Sequence, residues 1–321
     1  MEPCVSVVIP VYNAGPYVAT AARSALGQPE ALDVVLVEDG SVDQSLEVCR
    51  RLAASDARIT LVRHPDGRNH GDAASRNAGV RAARGRYVAF LDADDRYLPN
   101  RFAVSVPILE SRPDVDGVWD AVAVEFEDGS ARAEWADEPH AGTLLTLGAS
   151  VAPDQVLTRL LEGTRAFHID GVVVRRDVFA GVGFFDETLR VGSDTAMWWK
   201  IAAAHRLVAG SAATPVAIYR RRRGSLASAA TPEYADEPVR VALTVWRWAR
   251  TQGLPPVVRD RVAMAAIHRV LSAAPGVVGW RAVASRFRRL VRTLVAAPEL
   301  LAHPALWIRV VRTRVSAKLR P

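Results

Sequence analysis

The stretch "YVAFLDADD", residues 87–95, drives an apolar run into three aspartates, Asp92, Asp94 and Asp95, within four positions. A buried strand does not end in that much negative charge without compensation. Two carboxylates separated by one residue at a strand end suit a hard divalent cation. Mg2+ and Mn2+ favour oxygen ligands, and Mg2+ fills its remaining positions with water and substrate phosphates. The same residues also suit an N-cap cluster for a following helix, with Asp94 or Asp95 as the cap. The spacing alone leaves both open. Asp39, in "VEDGS", is a second candidate. An ionised carboxylate only accepts hydrogen bonds, so it matches the N3–H of uracil or thymine; Asp-Gly-Ser is equally a turn string.

The elements that must position these residues are visible in the first hundred positions. Apolar runs in "VSVVIPVYN", "LDVVLVEDGS", "RITLVRH" and "RYVAFLDADD" read as strands. Between them, "YVATAARSAL", "DQSLEVCRRLAA" and "DAASRNAGVRAARG" read as helices, with Ser41 or Asp43 available as a cap and Gly85 as a stop. Continuous apolar strands separated by helices predict an α/β fold, a mostly parallel Rossmann-like sheet covered on both faces. Ligands of such sheets bind outside the carboxyl ends of the strands. Tyr12-Asn13, Asp39 and Asp92-Ala93-Asp94-Asp95 all follow strand ends, so one edge would gather them. No G-x-G-x-x-G follows the first strand and no Walker lysine motif occurs. That argues against a dinucleotide oxidoreductase and a P-loop enzyme, and leaves phosphate charge to a metal or to arginine.

Beyond residue 100 the pattern loosens. "GVWDAVAVEFEDGSARAEW" alternates and carries Asp128-Gly129, a hairpin signal. "APDQVLTRLLEG" is an amphipathic helix, "HIDGVVVRRDVF" holds a short strand, and "VAIYR" precedes four arginines, Arg220 to Arg223. Residues 229–238 have linker composition, and 239–321 read as a helical extension broken by prolines. The 321 residues, 50% hydrophobic and 24% charged, fit a folded globular protein. No apolar run reaches the roughly 18–20 residues of a membrane span. The N-terminus lacks the pattern of a signal peptide. Cys4 and Cys49, the two cysteines, cannot build a disulfide framework and fit a reducing cytosol. From Tyr219 onward there are 20 Lys and Arg against 5 Asp and Glu, so of the net +6 the first 218 residues contribute −9. An acidic body therefore carries a basic tail.

Four strings occur in order: "VSVVIPVYNAGPYV", "VLVEDGSVD", "GDAASRNAGVRAARGRYVAFLDADD" and "GFFDETLRVGSDTAMWWK". Over residues 4–228 the chain thereby resembles a family 2 glycosyltransferase, an inverting enzyme of the GT-A fold. The resemblance implies a catalytic domain over 1–228 and a nucleoside-diphosphate sugar as donor. Pro10 and Tyr12, with Asn13 beside them, would lie at the nucleoside, and Asp39 at the base, uridine or deoxythymidine. Arg76 would sit on the helix that closes over the donor. Asp92-Ala93-Asp94 would be the metal motif for Mg2+ or Mn2+, with Asp94 the direct ligand and Asp92 near the ribose or a metal-bound water. Asp194 would be the catalytic base, although its usual acidic neighbour is here Ser193. Trp198 and Trp199, just past it, offer faces for an acceptor sugar. Adjacent helix positions point about 100° apart, so at least one of the two is expected in the core. His168 and Asp170 fall in the segment that the family uses to line the acceptor side. Family members often show Tyr-Arg-x-His-x-x-Ser after the last core strand. "YRRRRGSLAS" puts Arg222 at the histidine position, where it cannot ligate a metal but can pair with phosphate oxygens.

The acceptor implied is a saccharide or a lipid-linked glycan, and the setting is polysaccharide biosynthesis in the cytoplasm. The extension 239–321, with Trp246, Trp248, Trp280 and Trp307 among arginines, lies outside the resemblance. It suits packing on the catalytic domain, a homodimer contact, or peripheral binding to the inner face of an anionic membrane. The competing class is a non-catalytic module that binds a nucleotide sugar, or nucleic acid through the basic tail. Nucleic acid is not the expected partner.

Overall fold

The computed structural model describes residues 2–134, 144–163, 168–222, 236–271, 290–291 and 295. The first half alternates strand and helix as the apolar runs require: β1 (Val5–Val11), α1 (Val18–Leu26), β2 (Ala31–Glu38), α2 (Ser45–Ser55), β3 (Ile59–Arg63), α3 (Asp72–Ala82) and β4 (Tyr87–Phe90). In β1 every residue but Pro10 is buried, and in β2 every residue but Leu32. That is the signature of strands covered on both faces. The Asp43 carboxylate accepts from the Ser45 backbone N–H at 2.9 Å and so caps α2. Helix α3 lies close on β1 because Gly79 has no side chain: a Cβ there would fall 2.2 Å from Val8 Cγ1.

The second half adds β5 (Arg96–Tyr97), α4 (Ser105–Ser111), β6 (Gly117–Trp119), β7 (Ala121–Phe126), α5 (Gly129–Glu134), α6 (Val156–Glu162), β8 (Val172–Arg175), α7 (Val178–Val182), α8 (Ser193–Ala204), β9 (Leu207–Ala209) and β10 (Pro215–Arg221). A seven-stranded sheet has the order β3-β2-β1-β4-β8-β6-β9. Its pairings are parallel except on the two sides of β8, which runs against its neighbours β4 and β6. A smaller sheet, β5-β10-β7, pairs β10 antiparallel to β5 and parallel to β7.

The hairpin expected at Asp128-Gly129 does not form. Asp128 Oδ1 accepts from the Ala131 backbone N–H at 2.7 Å, and α5 starts there instead. The same side chain that favours a turn also caps a helix. The alternating stretch before it finds its partner far along the chain, in β10.

The chain divides into two units, Met1–Ala229 and Ala230–Pro321. In the second, α9 (Glu237–Thr251) and α10 (Pro256–Leu271) pack on each other, with Val245, Trp246, Ala263 and Ile267 buried. Helix α9 begins within the 229–238 stretch expected to be a linker, and residues 229–235 lie outside the described residues. Trp280, Trp307 and Arg223 lie outside them too. Among the described residues no helix is long and apolar enough to cross a membrane.

Cys4 and Cys49 are both buried in the core of the first unit. Burial raises the pKa of each thiol, that of Cys49 to about 12. The native protein is expected to give almost no reaction with a disulfide reagent such as DTNB at pH 8, and to titrate both thiols once unfolded in guanidinium. Rapid labelling of the native chain would contradict this packing.

Candidate active site

Strands β1, β2 and β4 are parallel neighbours, so their carboxyl ends share one edge of the sheet. Tyr12 follows β1 with its ring 46% exposed. Asn13 adopts a left-handed backbone (φ 49°), and its side-chain oxygen accepts from the Val42 N–H at 3.0 Å. Pro10 is not in the loop at all; it sits within β1, paired with Val37. Because β8 runs against β4, its amino end delivers His168 and Asp170 to the same edge. Because β10 runs against β5, its carboxyl end delivers Arg220–Arg222 beside Asp94 and Asp95.

Asp39 is buried, and both of its carboxylate oxygens accept hydrogen bonds. Oδ1 accepts from the His70 backbone N–H at 2.7 Å and lies 3.3 Å from His64 Nε2. Oδ2 accepts from the Gly71 N–H at 2.9 Å and Asn69 Nδ2 at 3.0 Å. Three donors thus share the carboxylate, and they tie the loop before α3 to the end of β2. The reason is local, since the N–H groups entering a helix need an acceptor. Burial raises its pKa in spite of these donors.

Arg76, expected on the helix that closes over the donor, lies on α3 and is buried among acids. Its guanidinium pairs with Asp72 and, at 3.0 Å, with Asp92 Oδ1. The Asp92 backbone N–H donates to Asp170 Oδ1 at 3.0 Å, and Asp170 faces His168 Nδ1 at 3.3 Å. The His168 ring lies against Tyr219 of β10, centroids 4.4 Å apart. Asp92, Asp95 and His168 each offer a ligand atom, and these atoms lie within 4.8 Å of one another. Burial, relieved in part by Arg76, raises the pKa of Asp92 to about 6. Burial and the facing Asp170 carboxyl push Asp95 well above the ordinary carboxylate range. Burial works against charging His168, yet Asp170, Asp92 and Asp194 around it outweigh that and raise its pKa.

These residues fit a divalent cation. The buried Asp95 Oδ2 has no hydrogen-bond donor. Beside Asp170 it needs a proton or a cation to offset its charge. Two carboxylates and one imidazole are also a donor set that Mn2+ accepts. Asp94, expected as the direct ligand, stands outside this trio: its Oδ2 accepts from Arg222 Nε at 2.9 Å. Ala93 between them is buried and adds backbone only.

Asp194 sits in the first turn of α8 and is part-buried, with Oδ1 accepting from the Thr195 N–H at 2.7 Å. It lies within electrostatic range of both Arg76 and His168. Ser193 is buried and donates to Asp72 Oδ2 at 3.4 Å. Trp198 and Trp199 are both buried, at 3% and 2% exposure. Trp198 meets Phe90 and Phe185 edge-on. Neither ring has an open face for a sugar, and their expected acceptor role is withdrawn: the apolar side of α8 packs into the core.

The family model described as glycosyl transferase family 2 matches residues 6–147. Over those residues the chain is similar to this family. Among curated relatives it is 31% identical over 207 residues to the succinoglycan biosynthesis protein ExoU of Rhizobium meliloti, covering 59% of this chain and 54% of that one. It is 39% identical over 94 residues to an uncharacterized glycosyltransferase of Haemophilus influenzae, covering 29% and 37%. The chain thus spans well under two thirds of each relative's length. Two solved structures share the fold. The S. aureus TarS 1–349 complex with UDP-GlcNAc superposes with TM-score 0.63 at 19% identity, over 83% of this chain and 72% of that one. The mannosyltransferase PcManGT from Pyrobaculum calidifontis, in complex with GDP-Man and Mn2+, gives 0.52 at 18%, over 99% and 81%.

Within the first unit the structure gives some residues a place in the site that sequence reasoning had not. Asp95 and Asp72 complete the acidic cluster. Asn77 is a buried staple: it donates to the Phe185 carbonyl at 3.0 Å and to Glu187 at 2.8 Å, and accepts from the Phe185 N–H at 2.8 Å. It thereby fixes the loop that leads into α8 and Asp194. Asp95 carried a signal, as the third aspartate of its run; Asn77, one helix position past Arg76, carried none.

Replacing Asp39 by Asn turns one acceptor into a donor facing donors. The Asp39→Asn variant is expected to lose about 1–3 kcal/mol of stability, read by thermal or urea unfolding of the protein without any nucleotide. Unchanged stability would return Asp39 to a purely ligand-facing role.

Proposed function

We propose that the domain transfers a sugar from a nucleoside-diphosphate sugar to a hydroxyl of a saccharide or lipid-linked acceptor, inverting the anomeric centre, with Asp194 as base. The observation that supports this reading is the link from the start of α8 to the acidic cluster: Ser193, next to Asp194, donates to Asp72, and Asp72 shares Arg76 with Asp92. On this reading Asp194 takes the acceptor proton beside a cluster suited to a diphosphate and its counter-ion. The fold neighbours support the donor class, since one binds UDP-GlcNAc and another GDP-Man with Mn2+. We take UDP or dTDP as the first choice of donor nucleotide. ExoU, named for succinoglycan biosynthesis, supports polysaccharide assembly as the setting; we take the cytoplasm as the place.

The chemistry follows from charge. The acceptor oxygen attacks the anomeric carbon and forms the new bond while the bond from that carbon to the phosphate oxygen breaks. The bonding pair leaves with the nucleoside diphosphate, and the acceptor proton passes to Asp194. One in-line displacement inverts the centre. Asp92, Asp95 and His168 would hold a Mg2+ or Mn2+, with Asp94 beside them; when bound, the cation supplies positive charge against the departing diphosphate. Arg76 holds the Asp92 carboxylate in place. Asp170 orients both His168 and the backbone at Asp92. Ser193, in place of an acid, donates to Asp72 rather than adding a further negative charge next to Asp194.

Asp194→Asn keeps the shape and removes the base. It is expected to cut UDP release and sugar transfer by about 10²–10⁴-fold, with the melting temperature and its shift on adding UDP-sugar plus Mn2+ unchanged. Full activity in this variant would remove the base assignment. Salt-sensitive DNA binding without turnover by the wild type would favour a binding module instead.

A further inference from the structure

Arg222 sits at the end of β10, and its Nε donates to Asp94 Oδ2 at 2.9 Å. The contact is built rather than incidental. The Arg222 guanidinium lies over the Tyr17 ring, 5.6 Å from its centroid, and the Tyr17 hydroxyl is fixed by donating to Glu127 at 2.9 Å. Two residues earlier, the Arg220 backbone N–H donates to Asp95 Oδ1 at 2.7 Å, which pins the strand end to the acidic turn. The pair is also open to solvent, with side-chain exposures of 33% for Arg222 and 21% for Asp94. Half-exposed ion pairs are screened and readily exchanged.

We propose that Arg222 and a divalent cation compete for Asp94, so that Arg222 sets how tightly the site takes the cation. This rests on the reading that the domain holds a cation at Asp92, Asp95 and His168. Asp94 is two residues from Asp92, across a turn closed by the Asp95 N–H donating to the Asp92 carbonyl at 3.0 Å. Its carboxylate is therefore next to the trio, yet it is turned to the guanidinium. An oxygen that accepts from a guanidinium is a poorer ligand, because the lone pair a cation would take is already engaged. When the cation takes Asp94, the guanidinium is released with its donors free for phosphate oxygens.

The test is a titration of Mn2+ alone into the full-length protein, following the free-ion EPR signal. Arg222→Gln is expected to bind Mn2+ about 1.5-fold to fivefold more tightly than wild type, the range that loss of a screened ion pair gives. Arg222→Lys, which keeps the charge, should stay near wild type. In an Asp94→Asn background, Arg222→Gln should change nothing. Equal affinity of wild type and Arg222→Gln, or a gain that persists without the Asp94 carboxylate, would overturn the competition while leaving the cation reading intact. Failure of wild type and Arg222→Gln alike to bind Mn2+ would overturn both. Thermal unfolding of each variant guards against misfolding, and the Lys variant carries the charge test if Gln disturbs the strand end.

Discussion

The burial of Arg76 against Asp92 is the contact on which the rest of the site depends. A guanidinium held at 5% exposure is tolerable only with acids around it, and Asp72 and Asp92 supply them. Removing the arginine would strand carboxylates at a strand end that already carries Asp94, Asp95 and Asp170. The placement of Arg76 in turn rests on α3 lying flat on β1, which the missing side chain of Gly79 permits, and on Asp39 holding the entry to that helix. A single charge is thus kept in place by a close approach of backbone, a cross-strand cap and a pair of acids. None of these three is adjacent to another in sequence.

Much of this was legible beforehand, and the parts that were not have physical reasons. Continuous apolar runs fixed the parallel strands because burial on both faces leaves no polar alternation. The strand-end rule then gathered Tyr12, the 92–95 turn and the neighbourhood of Asp39. It did not say which oxygens would be engaged internally: Asp39, read as a base contact, also accepts from the loop that enters α3. Short strands such as β5 and β9, of two and three residues, are too brief to show a period. The Asp128-Gly129 string serves a turn and a helix start equally. Trp198 and Trp199 could not be assigned a face, because α8 is apolar nearly all round in its middle. His168 and Asp170 were placed on the acceptor side only by resemblance, because their partners, Asp92 and Tyr219, are far off in the chain.

Two sheets divide the labour. The large one aligns the ends of β1, β2 and β4 and brings the amino end of β8 to meet them. The small one carries no core of comparable size, but β10 delivers an arginine to Asp94, a backbone donor to Asp95 and the Tyr219 ring to His168. The acidic cluster is enclosed between them. Its basic and aromatic side therefore belongs to one strand, whose register with β5 and β7 decides where each group lands.

The reversed course of β8 carries a consequence for how the domain is made. The bond from the Asp92 N–H to Asp170 spans 78 residues, and that from the Arg220 N–H to Asp95 spans 125. Contacts of such sequence separation close late, since the loop entropy must be met before they form. A nascent chain that has paired β1 to β4 still presents its aspartates to water, hydrated and mutually repelling. The pocket acquires its low-dielectric character only when the last strands dock, so the buried cluster is complete only once synthesis and assembly of the domain have finished.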